Sequence, residues 1–232
     1  MNLLPLFAHA DDRRDACLET GLPPGESPDH DLACHRACEP AMPTLSESLG
    51  RAANRHHCWS VEEFHRMAQS GLLDETDRVE LIGGELVEMA PIGSRHAFLV
   101  DRLAECLGSD PFASPMVRVQ NPIVLDEPSE PQPDITLLKR ANHADRHPTA
   151  TDVLLIVEGS HATLEYDRDV KLALYARDGV PEVSLFDVTA GELTVYREPI
   201  EGQYRLLRKP TTSEATAALL VPGVGIAWAE VV

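Results

Sequence analysis

The chain predicts an α/β or α+β fold in which a mixed central β-sheet is flanked by helices and preceded by a β-hairpin. Three features point there. From residue 94 onward the pattern runs helix, strand, strand, strand, helix, strand, the order of a layered domain. Two alternating runs meet at Gly83-Gly84, the signature of a two-residue hairpin turn. Val153-Leu154-Leu155-Ile156-Val157 is apolar throughout, as suits a strand covered on both faces. With 232 residues, 43% of them apolar, there is material for one medium domain plus an extension.

Residues 1–56 read as that extension, disordered or loosely ordered. Pro23-Pro24-Gly25, Pro28, Pro40 and Pro43 interrupt a stretch with no helical or alternating period. Cys34-His35 with Cys38, Cys17 and His30 suggest zinc, but only one side shows the close ligand pairing a structural site needs, so a mobile tail is the stronger reading. Five cysteines and no basic segment ahead of the first apolar residues favour reduced thiols and a cytoplasmic protein. No apolar run is long enough to span a membrane.

The domain, 57–232, opens near Trp59. Ser60-Val61-Glu62-Glu63 has capping-box spacing, and Phe64, Met67 and Ala68 follow at helical spacing up to Gly71. Residues 78–82 and 85–89 form the hairpin arms. Ser94 is placed to cap a helix over 95–107, where Phe98, Leu99, Arg102, Leu103 and Cys106 share a side and Gly108 stops it. Residues 116–120 and 123–125 read as strand material broken by Asn121-Pro122. The prolines of 126–133 cannot donate to a ladder, so this is loop. Strands are expected at 135–138, 153–157, 182–188 and 192–197, with a polar surface connection over 139–151 and a helix from 164 to near Gly179. Leu219-Leu220-Val221 and 224–228 are packing segments.

The chemistry gathers between Pro133 and Tyr175. Asp134 precedes the strand Ile135-Thr136-Leu137-Leu138, and Glu158 closes the run 153–157. Carboxylates on neighbouring strands can share a hard divalent cation, since Mg²⁺ takes oxygen ligands and keeps waters for chemistry. An ammonium such as Lys171 could then steady the attacking water or the developing charge. Each residue also has a plainer reading: Asp134 as a turn residue, Lys171 as a solvated partner of Asp167 four residues earlier, Tyr175 as a core aromatic. A carboxylate ending an apolar strand is harder to dismiss, because a buried charge must be paired or bind a cation.

Taken in order, Val79-Glu80-Leu81-Ile82-Gly83-Gly84-Glu85, Ser94-Arg95-His96, Gln120-Asn121-Pro122-Ile123, Pro131-Gln132-Pro133-Asp134, Val153 to Glu158, and Tyr166-Asp167-Arg168 with Lys171 and Tyr175 resemble the Uma-two family of restriction-endonuclease-like proteins within the PD-(D/E)XK nuclease superfamily. The resemblance spans about residues 57–210. It implies a restriction-endonuclease-like core and Mg²⁺- or Mn²⁺-dependent hydrolysis of DNA phosphodiesters. Asp134 and Glu158 would match the two acids and, with the Gly159 carbonyl, hold the metal. The superfamily lysine normally sits two residues after the second acid, where this chain has Ser160. Here Lys171, on the following helix, would replace it. His96 and Glu80 match positions facing the same cleft, although His96 could be a plain helix-start histidine and Glu80 a cross-strand partner of a basic residue. One departure is Gly159, where the family commonly has a β-branched aliphatic, and glycine is expected to loosen the backbone there.

The formal net charge of −18, from 38 acids against 20 Lys and Arg, excludes tight binding of nucleic acid by bulk phosphate neutralisation. DNA contact would need a bound metal or a local cationic patch, for which Arg95, Lys139, Arg140, Arg168, Lys171 and Arg177 are candidates. A homodimer would suit a cut through two strands. A binding or scaffold protein that keeps the nuclease fold without its activity is the alternative.

Overall fold

The computed structural model describes residues 56–74, 76–108, 115–126, 128–160 and 163–231. The expected extension therefore lies outside the described residues apart from its last residue, as do Cys17, His30, Cys34, His35 and Cys38. Arg55–Val232 forms one compact unit. Among the described residues Cys58 and Cys106 take part in no disulfide.

Helix α1, Val61–Gln69, begins as its sequence requires. The Glu63 amide donates to Ser60 Oγ at 3.2 Å and the Ser60 amide to Glu63 Oε2 at 3.0 Å, a complete capping box that stabilises a helix start by about 1 kcal/mol. Strands β1, Val79–Ile82, and β2, Glu85–Glu88, pair antiparallel as a separate two-stranded sheet. Gly83 and Gly84 both have positive φ, +59° and +82°, the geometry whose twist matches a hairpin and which glycine adopts without strain. Helix α2 runs Ser94–Leu107 and stops at Gly108. Its cap differs from the expectation: Gly93 is the capping residue and Ser94 already lies inside the first turn, with no side-chain hydrogen bond closing that end.

The central sheet has six strands in the order β3-β4-β5-β6-β7-β8: Met116–Val119, Ile135–Leu138, Val153–Ser160, Glu182–Asp187, Glu192–Ile200 and Gln203–Arg208. All neighbours are antiparallel except β5 and β6. A parallel pair needs a crossover, and the helix after β5 supplies it. This helix, α3, is built from Leu164–Tyr166, a π-helical segment Asp167–Lys171 and Leu172–Arg177. Residues 123–125 do not form the expected strand; Val124 makes a single parallel bridge to Thr149, because Pro122 and the prolines from 128 onward leave too few amide donors for a ladder. A small ribbon, β9 Ala215–Ala217 with β10 Gly225–Ala227, and a last helix, α4 Trp228–Val231, complete the described chain.

Strand alternation divides the core. Leu99, Val100, Leu103 and Leu107 of α2 pack with Ile135, Leu137, Leu155 and Val157 on one face. Leu172, Tyr175 and Val180 pack with Leu138, Ile156, Val183 and Leu185 on the other. With a period of two, Glu158 and Ser160 share the α3 face with Ile156, and Gly159 looks toward α2. The two residues after the apolar run are thereby sent to opposite sides of the sheet.

Candidate active site

Three segments converge at one end of the sheet. The loop before β4 is tied to the hairpin by the Gly84 amide to Pro128 O at 2.9 Å, the Glu130 amide to Leu81 O at 2.6 Å and the Gly83 amide to Ser129 Oγ at 3.0 Å. These bonds replace the ladder that its prolines cannot make, and they deliver Asp134 beside the end of β5. Glu158 reaches the same place from β5, and Lys171 from the π-helical stretch of α3. There the Leu172 amide donates to the carbonyl of Asp167, five residues back. This wider turn is common at functional sites, and it leaves both Asp167 and Lys171 buried.

The side chains form one group joined by hydrogen bonds and ion pairs. His96 Nε2 lies 2.9 Å from Asp134 Oδ1, which Gln120 Nε2 also reaches at 3.2 Å. The Gly159 amide donates to Asp134 Oδ2 at 2.8 Å. The Asp134 amide donates to Glu158 Oε2 at 3.3 Å, and the Tyr175 hydroxyl to Glu158 Oε1 at 2.7 Å. Lys171 Nζ is 3.1 Å from Glu80, 3.8 Å from Glu158 and 3.8 Å from Asp167. Asp167 also accepts from Ser160 Oγ at 2.6 Å and Thr163 Oγ1 at 2.7 Å. Ser160 thus supports the carboxylate that faces Lys171.

Glu80, Asp134, Glu158, Asp167 and Lys171 are each at most 8% exposed. Three carboxylates around one ammonium, with Asp134 beside Glu158, leave an excess of negative charge in a dry setting, which only protons or a cation can offset. Burial is the main cause pushing Glu158 up to about 8; Asp167 and Asp134 add to it, while Lys171 and Tyr175 oppose. Burial works to lower Lys171, but Glu158, Glu80 and Asp167 outweigh it and hold the ammonium charged well above its ordinary range. The hydrogen bond to Asp134 raises His96 against the pull of burial, helped by the Gly159 carbonyl. Tyr175 is pushed well up by burial and by Glu158. This side chain reads as a core aromatic, and the structure adds a polar role: its ring is fully buried while its hydroxyl orients Glu158.

Above the group opens a cleft of about 550 Å³ lined by the hairpin, the first turn of α2 and the start of α3. His96, Glu80, Asp134, Glu158, Gly159 and Lys171 all line it, so the structure brings together every site residue that the sequence nominated. The hydroxyl oxygen of Tyr166, another lining residue, is buried with no hydrogen-bond partner. Of the six candidate cations, Arg95 and Lys171 line the cleft and Lys139, Arg140, Arg168 and Arg177 do not. Lys139 instead donates to Thr151 O, Arg168 pairs with Asp169 and Arg177 with Asp178. Arg78 lines the cleft from the hairpin base and was not foreseen. Asp167 and Gln120 were also missed as members of the group. Asp167 carried a signal, standing four residues before Lys171, whereas Gln120 depends on strand register.

Gly159 sits within β5, registers with Phe186 of β6 and its amide donates to Asp134 Oδ2. A Cβ placed there would meet Leu99 Cδ2 at 2.6 Å, so the α2 leucine occupies the volume that a side chain at 159 would claim.

No curated protein matches the chain. Among solved structures, a "putative nuclease belonging to DUF820 from Anabaena variabilis ATCC 29413" aligns with a TM-score of 0.60 at 13% identity, over 74% of this chain and 96% of that one. At that identity the likeness establishes the fold, a nuclease fold with a six-stranded mixed sheet. The family model Uma2, described as "Putative restriction endonuclease", matches residues 61–229, and the chain therefore belongs to the Uma2 family.

Proposed function

We propose that residues 57–232 form a Mg²⁺- or Mn²⁺-dependent endonuclease that hydrolyses phosphodiester bonds of DNA, acting in the cytoplasm. The observation that carries this reading is the surplus of buried carboxylates around Lys171 at the floor of an open cleft. A fold needs no such surplus, and a cation explains it. The donor set suits a hard ion, with carboxylate oxygens from Asp134 and Glu158 and a carbonyl from Gly159. Each carboxylate keeps lone pairs beyond its present hydrogen bonds. When bound, the ion would supply Lewis acidity and a water of lowered pKa.

The chain's own groups have distinct tasks. Lys171, kept charged by its three acidic neighbours, cannot serve as a base, so it orients the attacking water and offsets charge developing on the phosphate. Glu80 positions Lys171 through the 3.1 Å contact. His96 orients Asp134 and, once its ring is protonated, adds a cation to the cleft wall. The amino end of α2, with Arg95, favours a phosphate by its unpaired amides and its charge. Given the net charge of −18, DNA is expected to bind weakly until the metal is present, and a homodimer would allow both strands to be addressed.

Plasmid nicking with purified chain, with and without Mg²⁺ or Mn²⁺, tests the proposal. Metal-dependent nicking that vanishes in Asp134→Ala supports it. Equal cleavage by wild type and by both Asp134→Ala and Glu158→Ala would overturn it. The net charge favours one second reading, a scaffold that retains the fold, and metal uptake in a calorimeter without nicking of any DNA form would select it.

A further inference from the structure

Away from the cleft, two histidines and a buried glutamate meet from three segments distant in sequence. His65 lies on α1, Glu130 on the loop leading to Asp134, and His147 on the connection before β5. We propose that these three residues form a second metal site, for a late first-row divalent ion such as Zn²⁺. Their ligand atoms all lie within 4.8 Å of one another. His65 Nε2 is 2.6 Å from Glu130 Oε2, and His147 Nε2 is 3.9 Å from Glu130 Oε1. Two atoms bonded to one ion at about 2.0–2.2 Å stand about 3–4 Å apart, so small side-chain adjustments complete the set.

The donor chemistry differs from that of the cleft. Two imidazoles and one carboxylate suit Zn²⁺ and its neighbours, whereas Mg²⁺ prefers oxygen alone. Glu130 is only 4% exposed, and the two imidazoles, at 38% and 39%, leave a route for the ion and room for a water as fourth ligand. An ion bound here would take the place of the hydrogen bond between His65 and Glu130.

The location also suggests what the ion does. The Glu130 amide bonds to Leu81 O, and the Val124 amide to Pro148 O at 2.8 Å beside His147. An ion here would clamp α1, the loop that carries Asp134 and the 139–151 connection, which otherwise hold together through few backbone bonds. It is a structural staple, independent of whether the cleft hydrolyses anything.

The test uses the full chain without an affinity tag, stripped by chelator and titrated with Co²⁺ near neutral pH in excess Mg²⁺. Wild type is expected to bind one Co²⁺ with the visible absorption of a four- or five-coordinate ion, and Zn²⁺ should displace it and raise the melting temperature. His65→Ala and His147→Ala should weaken that binding by more than about 100-fold, beyond what loss of an outer-sphere partner causes, while Asp134→Ala retains it. Equal titrations in wild type and both histidine variants would overturn the site, and so would loss of the Co²⁺ signal in Asp134→Ala. As a check that needs no variant, Zn²⁺ must shift two histidine ring resonances in the NMR spectrum of the wild-type chain; no shift overturns the proposal.

Discussion

Glu158 and Glu182 leave neighbouring strands of one sheet into equally dry surroundings, and they meet different company. Glu182, on β6, is 1% exposed and accepts from Arg197 Nη2 at 2.7 Å and from the Leu219 amide at 2.5 Å. That guanidinium also caps Ala217 O at 2.6 Å. One anion faces one cation, the Leu219 amide and the Ala217 carbonyl add backbone partners while Arg197 Nε stays buried without one, and the result pins β9 and the following turn to the sheet. Glu158, on β5, shares a single ammonium with Glu80 and Asp167 and lies next to Asp134. A buried pair in balance needs nothing more, whereas a buried cluster with surplus anion must take up protons or a cation. Under the proposed function, charge stoichiometry is what separates the structural carboxylate from the functional one where burial alone cannot.

The largest expected effect breaks the comparison if it fails. Asp134→Ala or Glu158→Gln should lower metal-dependent cleavage by on the order of 10³-fold, since several kcal/mol of Lewis-acid stabilisation is lost. Neither should lower the melting temperature of the metal-free protein much, because Asp134→Ala removes a charge from an overcharged group and Glu158→Gln replaces a carboxyl that burial already holds protonated near neutral pH. Glu182→Ala should do the reverse. It strands the Arg197 cation and costs about 3–5 kcal/mol of stability, while cleavage per folded molecule, assayed below the transition, persists. Denaturant melts beside nicking assays on the same samples would show it. If Glu158→Gln proves the more destabilising of the two glutamate variants, the assignment of structure and function to these residues is reversed.

That division was only half legible in the sequence. Glu158 announced itself because an apolar run of five β-formers cannot end in a carboxylate without consequence, and Asp134 and Lys171 were placed by motif order. Glu182 opens a strand of similar pattern, yet nothing local tells that Arg197 lies opposite, because that pairing is fixed by the β6–β7 register. The capping box of α1 and the Gly83-Gly84 turn were readable because their determinants lie within a few residues. Strand β8 escaped notice because it forms a sheet edge: Gln203–Arg208 is mostly exposed and shows no buried alternation. The π-helical turn at Asp167–Lys171 could not be read either, since ordinary helical spacing already puts those residues on one face. The meeting of His65, Glu130 and His147 depends wholly on tertiary folding.

The same contrast should appear in the pH dependence of stability, at an intermediate magnitude. Glu158 has a folded pKa raised from 4.5 to about 8, so the folded state holds a proton that the unfolded chain has released. Stability from this group is complete below about 4.5 and is lost as pH climbs toward about 8. His96 is raised as well and acts in the same direction, losing its contribution as pH passes its folded pKa. Metal-free protein should therefore become less stable with rising pH across this window, by at most about 1.4 kcal/mol per pH unit for each proton. Glu158→Gln should flatten the slope. Mg²⁺ or Mn²⁺ should reverse it, because the ion competes with protons for the same oxygens. Thermal melts across the window, with and without metal, give all three readings, and a slope that survives in Glu158→Gln would place the titrating group elsewhere.

The smallest effect concerns Gly159. Gly159→Ala pushes a methyl to within 2.6 Å of Leu99 Cδ2, and overpacking of this kind costs about 1–3 kcal/mol. Leu99 lies on α2, one turn from His96, so the strain falls between the helix that carries the histidine and the strand that carries Glu158. Leu99→Val removes the colliding atom. If glycine and leucine together fill the space that a larger residue at 159 would fill alone, the double variant should recover stability relative to the sum of the two single changes, by about 0.5 kcal/mol or more. A double-mutant cycle from chemical denaturation measures this coupling. Additive losses would mean that Gly159 is required for its own backbone. Positive coupling would mean that the volume has passed from strand to helix, with the carbonyl at 159 kept in place by the ladder to β6 and by the hydrogen bond from its own amide to Asp134.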